Sequence, residues 1–504
     1  MEIASLLGKK ATILANAVVA QVRTDDLDVK LVVNDLLSYE IQGRGQFGAS
    51  KWSGRKSMFD FDRGIFPAGF LYSVGTRLKT LGAEVSYAIK QAPSPLGPEV
   101  GTFDPKGFGF SDKYDYQPET IRRLLRFKRM IARVATGGGK SNIAILAHST
   151  IRRNTLFITT RSALMYQMKD QFDACGFPAG VVGDGIWQPR KGMNVAMVQT
   201  LAQMLRDPTR QEKVLKFLDQ MEVLIGEEAH ESAGDGYYVV ANNCKNAHYR
   251  LALTATPFMK DDEEANMRLQ AVFGSVGIEV SEELLINRGI LAKPYFKYAN
   301  SRKPDHLRYG ASWQEAVEIG IVENKFRNAV NVHEALRMKK IGFPVISLVQ
   351  RERHGKILSD MMREAGLNCA FLSGKSDQQE RAEGLRDLSK GNLDVLVGST
   401  IFDVGVDVPS VGMVQLAGGS KDEVALRQRI GRGLRAKKTG PNIAFMLDHT
   451  DRHNKHLKSH AMTRFGIVKS TPGFVEGILP EDKDYPMDDL QKSKVEHIIH
   501  GTQG

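Results

Sequence analysis

The chain has 504 residues, 42% of them apolar and 25% charged, which describes a soluble globular protein of about three domains and excludes a membrane-spanning one, since no stretch approaches the ~18 apolar residues a span needs. A net charge of +11 and a pI near 9.3 favour polyanionic partners, although bulk charge alone does not separate nucleic acid from an acidic membrane. The three cysteines, Cys175, Cys244 and Cys369, lie far apart and give neither a metal-ligand cluster nor a disulfide framework, which fits a reducing compartment.

Lys9-Lys10 followed by Ala11 to Ala20 has the outline of a secretory signal, but Glu2 sits in the part that should be positive, and Ala11 to Val22 reads instead as a β-strand. Residues 1–92 alternate short apolar runs with turns: Val29 to Val33, Ser57 to Phe61, an amphipathic helix at Leu71 to Leu81 and a strand at Glu84 to Ile89. This pattern predicts a small α/β domain. Inside it Arg44, Lys51, Arg55, Lys56 and Arg63 interleave with Phe47, Trp52, Phe59 and Phe66. That mixture suits phosphate contacts plus base stacking, with Trp52 and Arg55 as candidate DNA contacts; it equally suits aromatics in a core beneath a solvated charged face.

Residues 93–113 are rich in proline and glycine and read as a linker. Tyr116-Gln117 then leads a basic helix carrying Arg122, Arg123, Arg126, Lys128 and Arg129, a charge run read as a solvated face.

The apolar run Met130 to Ala135 meets a glycine-rich turn, Ala135-Thr136-Gly137-Gly138-Gly139-Lys140-Ser141, with a helix-like run after it. Strand, glycine turn and helix are the context of a phosphate-binding loop. The glycines let backbone N–H groups close around a phosphate, Lys140 supplies a point charge, and the Ser141 hydroxyl can ligate Mg²⁺. Val134 stands where the usual first glycine would be, so the stretch matches A-x-x-G-x-G-K-[ST].

Four further strands follow, Thr155 to Ile158, Val195 to Val198, Val223 to Ile225 and Arg250 to Leu253, with helical stretches between them. Such alternation implies a parallel, doubly wound sheet with its chemistry at the carboxyl ends of the strands. Those ends are polar: Thr159 to Arg161, Gln199-Thr200, Glu227-Glu228-Ala229-His230 and Thr254 to Pro257. A second alternating series has strands at Val345 to Val349, Cys369 to Leu372, Leu393 to Val397, Met413 to Ala417 and Ile443 to Leu447, and lacks a phosphate loop of its own. It carries Gln350-Arg351, Ser373-Gly374, Gly398 to Asp407 and Gln428 to Arg435. His449, His453, His456 and His460 lie nearby without a cysteine or a ligand spacing and read as a solvated helix rather than a metal site. The predicted architecture is α/β: a small α/β domain (1–92), a linker (93–113), two tandem doubly wound parallel-sheet lobes (114–292 and 293–460) and a C-terminal extension (461–504).

The ordered motifs resemble those of superfamily 2 helicases, whose two lobes are RecA-like. In family terms Tyr116-Gln117 is similar to the adenine-recognition motif, Ala135 to Ser141 to motif I, Arg161 to motif Ia and Gln199-Thr200 to motif Ib. Glu227 to His230 is similar to motif II, Thr254 to Pro257 to motif III, Val345 to Arg351 to motif IV, Gly398 to Asp407 to motif V and Gln428 to Arg435 to motif VI. Lys51 to Phe59 and Phe66 to Gly69 further resemble the N-terminal domain of UvsW-type phage recombination helicases, which implies remodelling of forks, Holliday junctions and displacement loops. One departure is Glu227, where the family usually has Asp; the extra methylene keeps the carboxylate and lengthens its reach.

The resemblance implies ATP and Mg²⁺ as cofactors and the following roles. Tyr116, Gln117, Thr136, Gly137, Gly138, Gly139, Lys140, Ser141, Gly405 and Asp407 bind ATP; Ser141 and Glu227 place Mg²⁺; Glu228 activates the attacking water. Gln428, Arg432 and Arg435 complete the catalytic set, the two arginines coming from the second lobe to neutralise developing phosphate charge, so that hydrolysis needs lobe closure. Arg161, Gln199, Thr200, Arg351, Ser373 and Thr400, with Trp52 and Arg55, contact DNA, while His230, Thr254 and Thr256 couple the two sites. The expected partner is forked or branched DNA, with no membrane, and the expected location is the cytoplasm, where ATP is available. An ATP-regulated DNA-structure binder and a duplex translocase that never separates strands are the competing readings.

Overall fold

The structure is a computed structural model that describes residues 5–40, 55–102, 112–227, 235–258, 262–398, 411–419, 426–427, 430–431, 434 and 441–488. It falls into two compact units, Met1–Val134 with Gly139–Val280 and Ala135–Gly138 with Ser281–Gly504.

The first unit begins with β1 (Lys10–Ala15) and β2 (Val19–Arg23). Ala11 to Val22 is therefore an antiparallel hairpin and not one strand. The cause is Asn16, whose side-chain oxygen accepts from the N–H groups of Val18 and Val19, both at 2.8 Å, and turns the chain. The run Val29 to Val33 lies in helix α1 (Leu27–Leu36), capped by Asp26, which accepts from the Asp28 and Val29 N–H groups. Next come β3 (Ser38–Glu40), β4 (Arg55–Ser57), β5 (Ile65–Pro67), α2 (Leu71–Thr80) and β6 (Glu84–Ile89). The sheet order is β5-β2-β1-β6, with β3 paired to β4. Phe59 and Phe66 are buried in its core with Ile13, Val29, Val33 and Val74, so these two aromatics are packing residues. Ten residues of the expected linker run as a strap: the Leu96 and Gly97 N–H groups donate to the Ile151 and Thr150 carbonyls, and Tyr249 Oη donates to the Pro93 carbonyl.

The larger part of this unit holds α3 (Tyr116–Phe127), β7 (Arg129–Val134), α4 (Lys140–Ile151), β8 (Thr155–Thr159), α5 (Ser162–Ala174), β9 (Ala179–Gly183), β10 (Ile186–Gln188) and β11 (Met193–Met197). It continues with α6 (Val198–Arg206), α7 (Pro208–Asp219), β12 (Val223–Glu227), α8 (Asp235–Asn243), β13 (Tyr249–Thr254), α9 (Glu263–Phe273) and β14 (Val276–Val280). The sheet order is β10-β9-β11-β8-β12-β13-β7-β14, and every pairing except β9 with β10 is parallel. Helices cover both faces, as parallel strands require. From Ile143 to Ile151 every residue of α4 is buried, the apolar run Ile143 to Ala147 together with the polar His148, Ser149 and Thr150.

Arg129, expected on a solvated helix face, is the first residue of β7 and is buried. The helix ends one residue earlier at Lys128, whose left-handed φ of 67° turns the chain into the strand. The Arg129 guanidinium donates to the Ala17 carbonyl at 3.1 Å, tying the N-terminal hairpin to the large sheet, and burial pulls its pKa down to about 9. At Gly69 the small fold approaches α9 so closely that a β-carbon would lie 1.9 Å from the Gln270 carbonyl oxygen.

The second unit contains α10 (Glu282–Asn287), β15 (Lys293–Ala299), α11 (Trp313–Val317), α12 (Lys325–Ile341), β16 (Val345–Leu348) and α13 (Glu352–Glu364). After them come β17 (Cys369–Leu372), α14 (Gln378–Lys390), β18 (Val395–Gly398), β19 (Met413–Gln415), β20 (Ile443–His449) and α15 (Lys455–Lys469). The six strands, ordered β15-β20-β19-β16-β18-β17, are all parallel. His449 is not on a solvated helix: it ends β20, fully buried, and burial beside Arg327 holds its imidazole neutral. Nearby, Arg327 Nε donates to Asp451 at 2.9 Å and Arg464 pairs with Asp448 at 2.9 Å, a buried ionic network joining α12, α15 and the end of β20.

Candidate ATP and nucleic-acid site

At the carboxyl end of β7 the loop turns on Gly137 (φ 89°) and Gly139 (φ 80°), values that favour glycine, and the Gly138 N–H donates to the Ala135 carbonyl at 3.0 Å. Gly139 is the N-cap of α4 and supplies no side-chain cap, so the first turn of the helix presents its N–H groups as an anion site with Lys140 and Ser141 at its head. Gln117 of α3 is buried, and its Nε2 lies 2.5 Å from the position a β-carbon on Gly139 would take. That nitrogen has no hydrogen-bond partner among the described residues, and Tyr116 beside it is also buried. A buried amide donor held against the loop is a fitting contact for the base of a nucleotide whose phosphates sit in the loop. The Thr136 hydroxyl, another buried polar atom in the loop, is likewise unpartnered among the described residues.

Glu227 ends β12, and strand alternation fixes its direction. Val223 pairs with Thr155 and Ile225 with Phe157, and the Thr155 hydroxyl meets His148 Nδ1 of α4 at 2.8 Å, so this face of the sheet is the α4 face. Two residues beyond Ile225, the buried Glu227 carboxylate emerges on the same face as Lys140 and Ser141. A hydroxyl and one carboxylate on one face suit Mg²⁺, which keeps most of its waters; among the described residues there is no cluster of three metal-ligating side chains. On the opposite face, the Tyr237 phenol occupies the space above Gly226, where a β-carbon would stand 1.7 Å from its oxygen. Burial first and the Glu227 charge second push the Tyr237 pKa up. Sequence reasoning missed Tyr237; its signal was a glycine in the middle of the apolar run Val-Leu-Ile-Gly-Glu.

The sheet order places strand ends in the sequence β11, β8, β12, β13, β7. The nucleotide candidates Glu227 and the loop, with the coupling candidates Thr254 and Thr256, therefore occupy one side of the carboxyl edge, and Arg161, Gln199 and Thr200 the other. Gln199 Nε2 donates to the Thr160 carbonyl at 2.9 Å, which joins the ends of β11 and β8. The Thr254 hydroxyl accepts from the Thr256 N–H at 3.2 Å, while the buried Thr256 hydroxyl has no partner among the described residues. In the second unit Arg351 precedes α13 and pairs with Glu318 at 3.0 Å. Ser373 is used locally: its hydroxyl accepts from the Lys375 N–H at 3.1 Å and closes a turn. Arg55 is exposed, 3.6 Å from Asp35. Trp52, Glu228, His230, Thr400, Gly405, Asp407, Gln428, Arg432 and Arg435 lie outside the described residues.

Residues 111–259 match the type III restriction enzyme, res subunit, family, and residues 325–437 match the helicase conserved C-terminal domain. The two matches fall in order, one on each unit's parallel sheet. The chain is a superfamily 2 helicase. It is similar to a relative from a Sulfolobus islandicus filamentous virus, 24% identical over 356 residues, which are 65% of this chain and 61% of that one. The DNA 3'-5' translocase XPB2 of Sulfurisphaera tokodaii is 27% identical over 357 residues, 64% of this helicase and 78% of the relative. The ATP-dependent DNA helicase uvsW of Enterobacteria phage T4 is 23% identical over 444 residues, 83% and 86% of the two chains. A solved fragment assigned to the HsdR subunit of a type I restriction enzyme from Vibrio vulnificus has a TM-score of 0.52 at 17% identity, covering 71% of this helicase and 66% of that chain, and shows the same two-lobed RecA-like fold. The chemistry is that of an ATP-driven DNA helicase.

Proposed function

We propose that this helicase moves on DNA at the expense of ATP and uses that movement to remodel branched substrates, such as forks, Holliday junctions and displacement loops. The observation that carries the branched part is the close docking of the N-terminal fold on the first sheet. Arg129 reaches Ala17, Gly69 abuts α9, and the Glu40 N–H donates to Glu263 at 2.7 Å. A module fixed against the motor, and not tethered to it, suits holding a duplex arm at constant distance from the tracked strand. The expected domain boundaries, 1–92, 93–113, 114–292, 293–460 and 461–504, belong to this reading. The T4 relative, a DNA helicase, supports it as well, and the Sulfurisphaera tokodaii relative, a DNA translocase, supports movement as the shared step.

In this reading the loop amides and Lys140 hold the nucleotide's outer phosphates, and Tyr116 and Gln117 hold its base. Ser141 and Glu227 would hold Mg²⁺, which when bound offsets the charge on those phosphates. Glu228 takes a proton from the attacking water, and Arg432 and Arg435, with Gln428, meet the charge that develops. Arg161, Gln199, Thr200, Arg351 and Ser373 touch the DNA backbone, and Thr254 and Thr256 carry the state of one edge of the sheet to the other. The test is a panel of ATPase and strand-displacement rates on fork, Holliday junction, linear duplex and RNA duplex. Fastest turnover and displacement on fork or junction is expected. Equal rates on linear duplex without displacement reduce the protein to a duplex translocase, and binding without turnover to an ATP-regulated binder.

A further inference from the structure

β15 is the terminal strand of the second unit's sheet, and its outer edge is only partly paired. Alternate residues face inward, as the Thr450 N–H donating to the Ala299 carbonyl at 3.1 Å shows. Those between face outward: the Leu479 N–H donates to the Phe296 carbonyl at 2.9 Å, and Ile478 pairs with Phe296 in parallel. The chain's own segment Ile478–Leu479 thus already adds to this edge. It leaves after Leu479, and the Arg452–Glu481 ion pair at 2.8 Å lies at its departure. The next outward residue is Tyr298, and no described residue hydrogen-bonds its backbone N–H or carbonyl.

Around that bare edge runs a groove of about 1020 Å³. It draws walls from both faces of the sheet: Tyr298, Met462 and Phe465 on one, Val330, His333 and His449 on the other. Phe326, Met462 and Phe465 are exposed at 42%, 63% and 38%, an apolar cluster of the kind that marks a docking site. Two polar groups of its lining are unpartnered among the described residues, the Tyr298 phenol and His449 Nδ1.

We propose that the Tyr298 edge of β15 binds an extended apolar segment of a partner protein, which continues in space the strand addition begun by Ile478–Leu479. Its backbone pairs with Tyr298. Alternate side chains fall toward Met462 and Phe465 on one face and toward Val330 on the other. Only an added strand sends successive side chains to both faces of a sheet. A helix or an unstacked nucleobase would fill one side and leave the Tyr298 backbone bare.

The probe is an end-capped heptapeptide of alternating Val and Thr, with a fluorophore and a short polyethylene glycol tail, titrated into the full chain by anisotropy. Two isomers carry N-methyl groups on alternate amides. Saturable binding is expected, weakened about tenfold in one N-methyl isomer and unchanged in the other, because only one set of amides faces β15. Ala329→Trp, at an exposed groove position, should weaken it by a similar factor while DNA-stimulated ATPase is unchanged. No saturable binding, or equal effects of the two isomers, overturns the proposal. Competition by a thymidine oligonucleotide that Ala329→Trp abolishes assigns the groove to nucleic acid instead, and competition by a synthetic peptide of residues 489–504 assigns it to this chain's own C-terminus; either result overturns the partner reading.

Discussion

Gln117 Nε2 stands 2.5 Å from the point a β-carbon on Gly139 would occupy, so helix α3 and the phosphate loop close on one another with no room for a side chain between them. Gly139→Ala adds that carbon at a φ of 80°, where an L side chain is strained, and pushes the amide aside. A loss of nucleotide affinity of about tenfold or more is expected for Gly139→Ala and for Gln117→Ala alone, read with a fluorescent ATP analogue. The double variant should lose less than the sum, because the two residues share one contact. Strict additivity would mean that Gln117 and the loop act independently.

Glu227→Asp restores the residue usual at this position yet withdraws the carboxylate by one methylene. Because Mg²⁺ demands near-ideal geometry, kcat in Mg²⁺ should fall about tenfold and recover partly in Mn²⁺, with DNA affinity unchanged. An unchanged Mg²⁺ rate would show that Glu227 does not set the metal distance.

Arg327 holds Asp451 at 2.9 Å and also donates to the Ala417 carbonyl, all of it buried. Arg327→Ala leaves a buried carboxylate with, among the described residues, only Arg464 at 3.5 Å and should destabilise the second unit by ~3–5 kcal/mol. Calorimetry should show one unfolding transition lowered and a second unmoved, given two units.

Two buried histidines set an acid limit. His148 is held at about 4 and His354 at about 3 by burial, each neutral in the fold. Their folded pKa values lie below the unfolded value near 6.5, so the unfolded chain binds more protons in that window. Stability is full above about pH 6.5 and falls as pH drops toward 4, with His148 alone accounting for up to ~3 kcal/mol. Because Thr155 Oγ1 donates to the Arg153 carbonyl, His148 donates from Nδ1, and His148→Asn keeps a donor at that position while removing the titration. Denaturant midpoints of that variant should depend less steeply on pH between 6.5 and 4; an identical slope would remove His148 from the account.

The strands and the loop were legible because parallel, doubly buried strands read as short apolar runs with polar carboxyl ends; Glu84–Ile89 and Cys369–Leu372 agree with the sequence to the residue. What escaped depends on single side chains acting on the backbone. Asn16 breaks one apolar run into a hairpin, and Lys128 ends a helix one residue before Arg129, so that a charge in a basic run becomes a buried tie. Gln117 was legible as a family motif, but its contact with Gly139 was not, since the two lie on separate elements that only the fold brings together.

ATP-driven movement on DNA is read out by strand displacement from a forked DNA, comparing the wild type with Lys140→Ala at equal protein and saturating ATP. Lys140 heads α4 at the anion site and lies across the sheet edge from the Arg161 and Gln199 group. Displacement by the wild type with none above background in Lys140→Ala, while fork affinity stays within a few-fold, is the predicted result. Equal displacement by both proteins, or displacement by the wild type without ATP, would contradict the account.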